Sequence, residues 1–392
     1  MNIDRSVFSQ LMDQIDPYEF RQLVRRHKRG GRKYRFTCWE QFLSMAFAQL
    51  TYRESLRDIE TCLHSLGGKL YHSGIRREVS RSTLAYANEH RPWQIYRDLT
   101  LSLIARARVL YQDDRLMTDL DGAVYALDAT NIELCLKLFP WAKAAHNQKT
   151  TAGIKLHAQL DVQSNLPVFA RVSEAAMHEV RILDEILFEP GAFYIVDRAY
   201  TDFARLNKID RAGAFFVIRA KKGLRFMRVA SHLVDKAWGV RVDQSIRLVV
   251  PRSHEGYPDC IRRIKFFDLE QERSFIFLTN NFVLDALTIA ELYHKRWTIE
   301  LFFKWIKQHL RIKAFFGTSP NAVNTQVWIA LAVFVLVAII KKELKLEASL
   351  YTILQILSVT LFEKEPINQV LTRTQPLIDN EYNPNQLSLF NL

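Results

Sequence analysis

Three acids stand where a chain can put carboxylates to work: Asp128, Asp197 and Glu300. Asp128 closes the strand-like run AVYALDAT (residues 123–130), and Asp197 lies near the end of AFYIVDRAY (192–200). The second run is almost continuously apolar, as a strand buried on both faces would be. A sheet that sets these two strands side by side brings both carboxylates to one place, where they can bind one cation. A hard ion such as Mg²⁺ suits carboxylate oxygen and retained water. The four cysteines, Cys38, Cys62, Cys135 and Cys260, are far apart, and neither a CxxC nor a histidine cluster offers the nitrogen and sulfur ligands of zinc.

Helix geometry tests Glu300. Residues 284–310 read as one long amphipathic helix, in which 100° per residue puts Tyr293, Arg296, Glu300, Lys304, Lys307 and Arg311 in one stripe. Leu292, Ile299, Phe302, Phe303, Ile306 and Leu310 take the other side. One acid among four bases and a tyrosine suits a surface that holds metal while gripping phosphate. A solvated face with Arg296/Glu300 and Glu300/Lys304 pairs has the same periodicity, so both readings stay open. The remaining acids have structural placements: Asp161 as a turn residue, Asp202 as a helix N-cap, and Glu179, Asp184 and Glu185 on a surface helix.

The elements that must position these groups follow in a recognisable order. Residues 1–110 are helical, and the pattern then changes to strands at 123–130, 153–162 and 166–173. A helix at 179–188, a strand ending at Asp197, a helix at 202–211 and a strand at 214–220 come next. Residues 221–281 read as a β-rich insertion before the long helix, and an apolar helix spans 321–342. This is the order of a ribonuclease-H-like mixed-sheet α/β core. The predicted division is a helical DNA-binding region (1–110), the first part of the core (111–220), the β-rich insertion (221–281), the rest of the core (282–345), and a helical segment with a tail (346–392). The longest apolar run, Val327 to Ile340, is short for a bilayer span and reads as a core helix.

Lys and Arg total 54 against 42 Asp and Glu, and the net charge of +12 favours a polyanionic partner. Eight of the fifteen residues from Arg21 to Arg35 are basic, which makes Arg29, Arg32 and Lys33 a candidate phosphate-gripping arm. A second basic segment, residues 75–91, has Ser80 or Ser82 as N-cap of a helix bearing Asn88 and Arg91. A helix for the DNA major groove and a solvated helix in a bundle fit it equally. A further run, Arg219, Lys221, Lys222, Arg225 and Arg228, could track a DNA backbone. The acidic start lacks the order of a signal peptide, which points to the cytoplasm, at the nucleoid.

The spacing Tyr293-xx-Arg296-xxx-Glu300-xxxxxx-Lys307 matches the YREK signature of DDE transposases from bacterial insertion sequences. LDAT around Asp128 and VDRAY around Asp197 are similar to that family's first and second acidic motifs. The resemblance implies an enzyme that cleaves double-stranded DNA at terminal inverted repeats and joins the 3′ ends to target DNA, with two Mg²⁺ ions, replaceable by Mn²⁺, on Asp128, Asp197 and Glu300. It implies phosphate contacts for Tyr293 and Arg296, strand positioning by Lys307, and a homodimer on DNA. Relatives stack a displaced base on an aromatic of the insertion. Trp238 is a candidate, although a buried core tryptophan is the plainer reading. A repressor that keeps the core as scaffold, or a stand-alone nuclease, are the alternatives. The tail QLSLF resembles the peptide by which bacterial proteins dock on the DNA sliding clamp, with Leu387, Leu389 and Phe390 as anchors and Gln386 hydrogen-bonding beside them.

Overall fold

The computed structural model describes residues 5–27, 35–112, 122–146, 149–269, 272–309 and 315–373. The chain divides into two compact units, Met1–Tyr111 with Trp305–Leu392, and Gln112–Lys304.

The first unit is helical. Helix starts follow local chemistry: Thr37 and Glu40 form a reciprocal capping box ahead of Cys38–Leu50, and Ser319 caps Pro320–Glu343 with Pro320 in its first turn. The Pro320–Glu343 helix is long and apolar enough to cross a membrane by length and composition, yet nearly every residue of its apolar stretch is buried within this unit. It packs on the helices Gln94–Tyr111, Arg81–His90 and Cys38–Leu50. Each fully buried Leu, Ile or Val there contributes about 1.5–3 kcal/mol over an exposed one.

Of the two readings of the basic 75–91 segment, the bundle prevails for its key side chains. Ser80 caps Arg81–His90 through Thr83 N–H at 3.2 Å. Asn88 and Arg91 are buried: Asn88 accepts from Gln41 Nε2 at 2.8 Å, and Arg91 Nη1 donates to Thr37 O at 2.8 Å and Gln41 Oε1 at 3.1 Å. Residues so committed cannot read base edges.

The second unit is built on a ten-stranded sheet. Its strands are β1 (Val124–Leu134), β2 (Lys143–His146), β3 (Lys149–Asp161), β4 (Leu166–Glu174), β5 (Phe193–Val196), β6 (Phe215–Arg219), β7 (Phe226–Ser231), β8 (Val240–Leu248), β9 (Ile261–Asp268) and β10 (Arg273–Thr279). The order β4-β3-β1-β5-β6, with β3 antiparallel to both neighbours and β1, β5 and β6 mutually parallel, is that of a ribonuclease-H-like core. The helix Phe203–Arg211 makes the crossover that the parallel pair β5 and β6 requires. Asp202 caps it by accepting from Arg205 N–H at 3.1 Å. The β-rich insertion continues the same sheet, as β6-β10-β9-β8-β7, all antiparallel.

Strand alternation sorts this sheet. Tyr125, Leu127, Tyr194, Val196, Phe216 and Ile218 join Ile182, Leu183, Leu206 and Ile209 in one buried cluster. The alternate residues, among them Ala126, Asp128 and Ile195, face the other way.

Three elements differ from expectation. The helix expected at 179–188 is a 3₁₀ segment, Glu179–Asp184, whose bonds run i to i+3, as from Glu185 N–H to Ile182 O at 3.0 Å. Residues 186–189 then run without helix to Pro190, which disfavours helical backbone at Glu189. The long helix of 284–310 is two helices, Ala286–His294 and Trp297–His309. At the joint, Thr298 Oγ1 takes Lys295 O at 2.7 Å, and Arg296, Thr298 and Ile299 bond three residues back instead of four. Finally, Asp128 does not end its strand: β1 runs on to Leu134, supported by β3.

Candidate active site

Asp128 and Asp197 meet through the register of two parallel strands. Leu127 pairs with Val196, the last pair of β1 with β5, so each aspartate is the next residue along. Asp197 keeps extended backbone (φ −79°, ψ 167°), and the alternation therefore turns both carboxylates to the face opposite the Tyr125/Tyr194 cluster. Strands β1 and β5 lie about 4.8 Å apart in such a sheet.

The same face is reached by Tyr293, Arg296 and Glu300. Tyr293 packs its ring on Phe277 at 4.6 Å and donates its hydroxyl to Asp197 Oδ1 at 3.1 Å. Arg296 donates through Nη1 to Asp128 Oδ2 at 3.2 Å and through Nη2 to Glu300 Oε1. Arg296 thus joins Asp128 to Glu300, Tyr293 holds Asp197, and the guanidinium of Arg296 lies 5.8 Å from the centre of the Tyr293 ring. As placed, Arg296 stands between Asp128 and Glu300, and among the described residues no three ligating side chains converge closely enough to enclose an ion.

The electrostatics follow from burial. Asp128 is pushed up to about 6, chiefly by burial; the Ala129 N–H at 2.8 Å and Arg296 pull down, while Glu179 and Glu300 push up. Burial also raises the Tyr293 hydroxyl, which stays protonated and able to donate. Burial works against the Arg296 charge, but Tyr293, Glu300 and Asp128 outweigh it and hold the guanidinium more firmly protonated.

The other expected residues are dispersed. Lys304 is exposed one turn beyond Glu300, and Lys307, half-buried, belongs to the helical unit. Trp238 is not a core residue: it is 67% exposed in the turn between β7 and β8. It stands next to Gly239, whose φ of +85° and close approach to Phe267 O belong to the turn. Arg219 lies over the Phe275 ring at 5.1 Å. Arg29, Arg32, Lys33, Gln386, Leu387, Leu389 and Phe390 lie outside the described residues.

Sequence reasoning missed Glu179, Lys155 and Tyr200. Glu179 is not on a solvated helix: its Oε1 is 3.3 Å from Lys155 Nζ, and its charge acts on Asp128 and Tyr200. Lys155, His157 and Gln159 alternate along β3 with apolar neighbours and so look like a wet face, yet all three are buried.

Three acids thus stand near one another on a ribonuclease-H-like sheet and the helix beside it, and the chain is similar to several known proteins. A family profile described as transposase DDE domain matches residues 119–336, and one described as a domain of unknown function (DUF4372) matches residues 4–76. A putative transposase, y4zB, of Sinorhizobium fredii is 32% identical over 290 residues, covering 72% of this chain and 78% of the relative. A probable transposase for insertion sequence element IS5377 of Geobacillus stearothermophilus is 27% identical over 261 residues, 65% of this chain and 66% of the relative. Among solved structures, a piggyBac transposase synaptic complex with hairpin DNA aligns at a TM-score of 0.44 and 10% identity, covering 95% of this chain and 82% of that one. The chain belongs to the DDE transposase family of bacterial insertion sequences.

Proposed function

We propose that this DNA transposase is of the YREK subgroup, binds the terminal inverted repeats of its element, cleaves there, and transfers the 3′ hydroxyl ends to target DNA. The observation that carries this reading is the register that aligns Asp128 with Asp197 beneath Tyr293, Arg296 and Glu300.

The donor set fits hard divalent cations. It is all carboxylate, and Arg296 Nε, buried with no hydrogen-bond partner among the described residues, is a donor left over for a phosphate. Asp128, Asp197 and Glu300 would hold two Mg²⁺ ions, with Mn²⁺ able to substitute. Bound there, such ions stabilise the attacking and leaving oxygens of an in-line displacement. Arg296 and Tyr293 would bind backbone phosphate as donors, and Lys304 and Lys307 would follow the strand along the helix. Arg29, Arg32 and Lys33 would add phosphate contacts, and the exposed indole of Trp238 would stack an extruded base. We further propose that the protein works as a homodimer on DNA, at the nucleoid in the cytoplasm, and that Gln386, Leu387, Leu389 and Phe390 dock on the bacterial sliding clamp.

The test is a cleavage and joining assay on DNA carrying the element's ends, with Mg²⁺ present. Asp128→Asn, Asp197→Asn and Glu300→Gln should each reduce both steps by about a thousandfold or more while end binding survives. Activity retained by any one of them removes that residue from the site. Cleavage without joining would make the chain a nuclease, and binding without cleavage a repressor. Removing the last seven residues should abolish clamp binding and leave cleavage intact.

A further inference from the structure

The helix Arg81–His90 has a second side. Its inner row, Leu84, Ala87 and Asn88, is buried in the helical unit. At 100° per residue, Ser82, Thr83, Tyr86, Glu89 and His90 fall in one arc on the opposite side, and all five are exposed. This arc carries no aliphatic side chain. It offers hydroxyls, a carboxylate, an imidazole and one aromatic ring, which are groups for hydrogen bonding and contact with base edges.

Local chemistry holds these groups in place. Ser80 Oγ lies 3.1 Å from Ser82 Oγ and donates to Thr83 Oγ1 at 2.9 Å. Tyr86 is 56% exposed, yet its ring stacks on that of His90 at 4.1 Å. An exposed tyrosine held in this way loses little freedom when it meets a partner. The helix packs on Leu56–Leu66 and Cys38–Leu50, which present its outer arc as a rigid edge.

Charge identifies the partner. Arg76, Arg77 and Arg81, at the entrance to the helix, are all exposed. Two acids nearby in sequence are turned to other groups: Glu60 Oε1 accepts the Arg81 backbone N–H at 2.9 Å, and Glu78 Oε1 lies 3.6 Å from His64 Nδ1. Three bases ahead of a polar helical face match the phosphates and base edges of a DNA major groove, which is about 12 Å wide and admits one α-helix.

We propose that Arg81–His90 is the element that reads the sequence of the terminal inverted repeats, with Ser82, Thr83 and Tyr86 on base edges and Arg76, Arg77 and Arg81 on the flanking phosphates. The inference rests on the reading that this chain binds the ends of its element. It assigns sequence choice to the outer arc and backbone grip to the arginines, while Asn88 and Arg91 stay with the bundle.

The experiment measures binding of the full chain to a fluorescent duplex carrying the inverted repeat and to a scrambled duplex of equal length. It is run in EDTA, so that no cleavage intervenes, over a series of salt concentrations. Tyr86→Ala and Ser82→Ala/Thr83→Ala should each reduce the ratio of repeat to scrambled affinity by about 5- to 150-fold, the worth of one well-made base contact, with scrambled affinity nearly unchanged. Arg76→Gln/Arg77→Gln should weaken both duplexes alike and lower the slope of log affinity against log salt by about 2, roughly 0.9 per phosphate contact. The replaced side chains are exposed and the Ser80 cap is left in place, so each variant should melt with the wild type. A wild-type affinity ratio in both arc variants overturns this inference and leaves inverted-repeat binding standing. Equal affinity of the wild-type chain for the two duplexes overturns both.

Discussion

Replacing Arg296 with methionine removes the one cation that, among the described residues, is bonded to both Asp128 and Glu300. The size of the effect can be worked from exposure. The side chains of Arg296 and Asp128 are 15% and 19% exposed, and that of Glu300 is 33% exposed. Breaking a buried pair by deleting one partner costs about 3–5 kcal/mol, and the 3.2 Å contact with partial exposure puts the Asp128 arm near or below the lower end. The Glu300 arm, a third exposed, adds no more than roughly 1 kcal/mol. A total near 3 kcal/mol lowers the melting temperature by roughly 6–12 °C for a unit of some 200 residues. The assay is calorimetric melting in EDTA at about pH 7.5, where Asp128, raised to about 6, is ionised. Neutralising the stranded carboxylate as well, in Arg296→Met/Asp128→Asn, should recover at least about half of the loss through their coupling. Added Mg²⁺ should raise the melting point of Arg296→Met more than that of the wild type, because the freed acids then have a cation to bind. Melting of Arg296→Met within about 2 °C of the wild type in EDTA, or no recovery in the double variant, refutes this account of the network.

Burial depresses His157 to about 4, with the charges of Lys155 and Arg171 adding to the effect. Its unfolded value is near 6.5, so the unfolded chain takes up the proton first: stability is full above about pH 6.5 and falls by up to roughly 3 kcal/mol as pH drops toward 4. His157→Gln should flatten that slope in urea melts run from about pH 7 to 4, and an unchanged slope would clear the histidine. Arg262→Met strands Asp243, its partner at 2.7 Å with side chains only 7% and 4% exposed, and should cost about 3–5 kcal/mol, while Arg262→Met/Asp243→Leu should cost far less. Gly239→Ala would put a Cβ 2.4 Å from Phe267 O at φ +85°, and a loss of about 1–3 kcal/mol by denaturant melting is expected, against none if the turn simply shifts.

What the sequence discloses follows the range of the physics behind it. Period-2 and apolar runs locate β1, β3, β4, β5 and β6, and side-chain capping locates helix starts at Ser80 and Asp202, because both effects act within a few residues. Stripe geometry brings Tyr293, Arg296 and Glu300 to one face, although the helix that carries the stripe is broken by the Thr298 back-bond. Effects that depend on a distant cover are hidden. Lys155 and His157 alternate like solvent-facing residues until Glu179 and Ser173 are laid over them. Asn88 and Arg91 look like a basic surface until Gln41 takes both. Trp238 reads as core by its chemistry, and only its place in the turn between β7 and β8 shows it exposed.

The acid site sits where neighbouring strands end at different places. Pairing of β5 with β1 stops at Leu127 and Val196, while β1 continues for seven more residues against β3 alone. Beyond that point the sheet has a step: one neighbour of β1 is gone, and the chain leaving β5 turns away through Arg198–Tyr200. An aspartate on each side of the step therefore has its carboxylate beside the missing strand instead of under a packed neighbour. That is also how Asp128 reaches Arg296 from the middle of a strand. The insertion strengthens the arrangement, since β10 pairs with β6 and carries Phe277, on which Tyr293 rests before reaching Asp197. The insertion thus supports the site from the sheet itself, and weakening the β6–β10 pairing should loosen the Tyr293 contact before it disturbs the β1–β5 register.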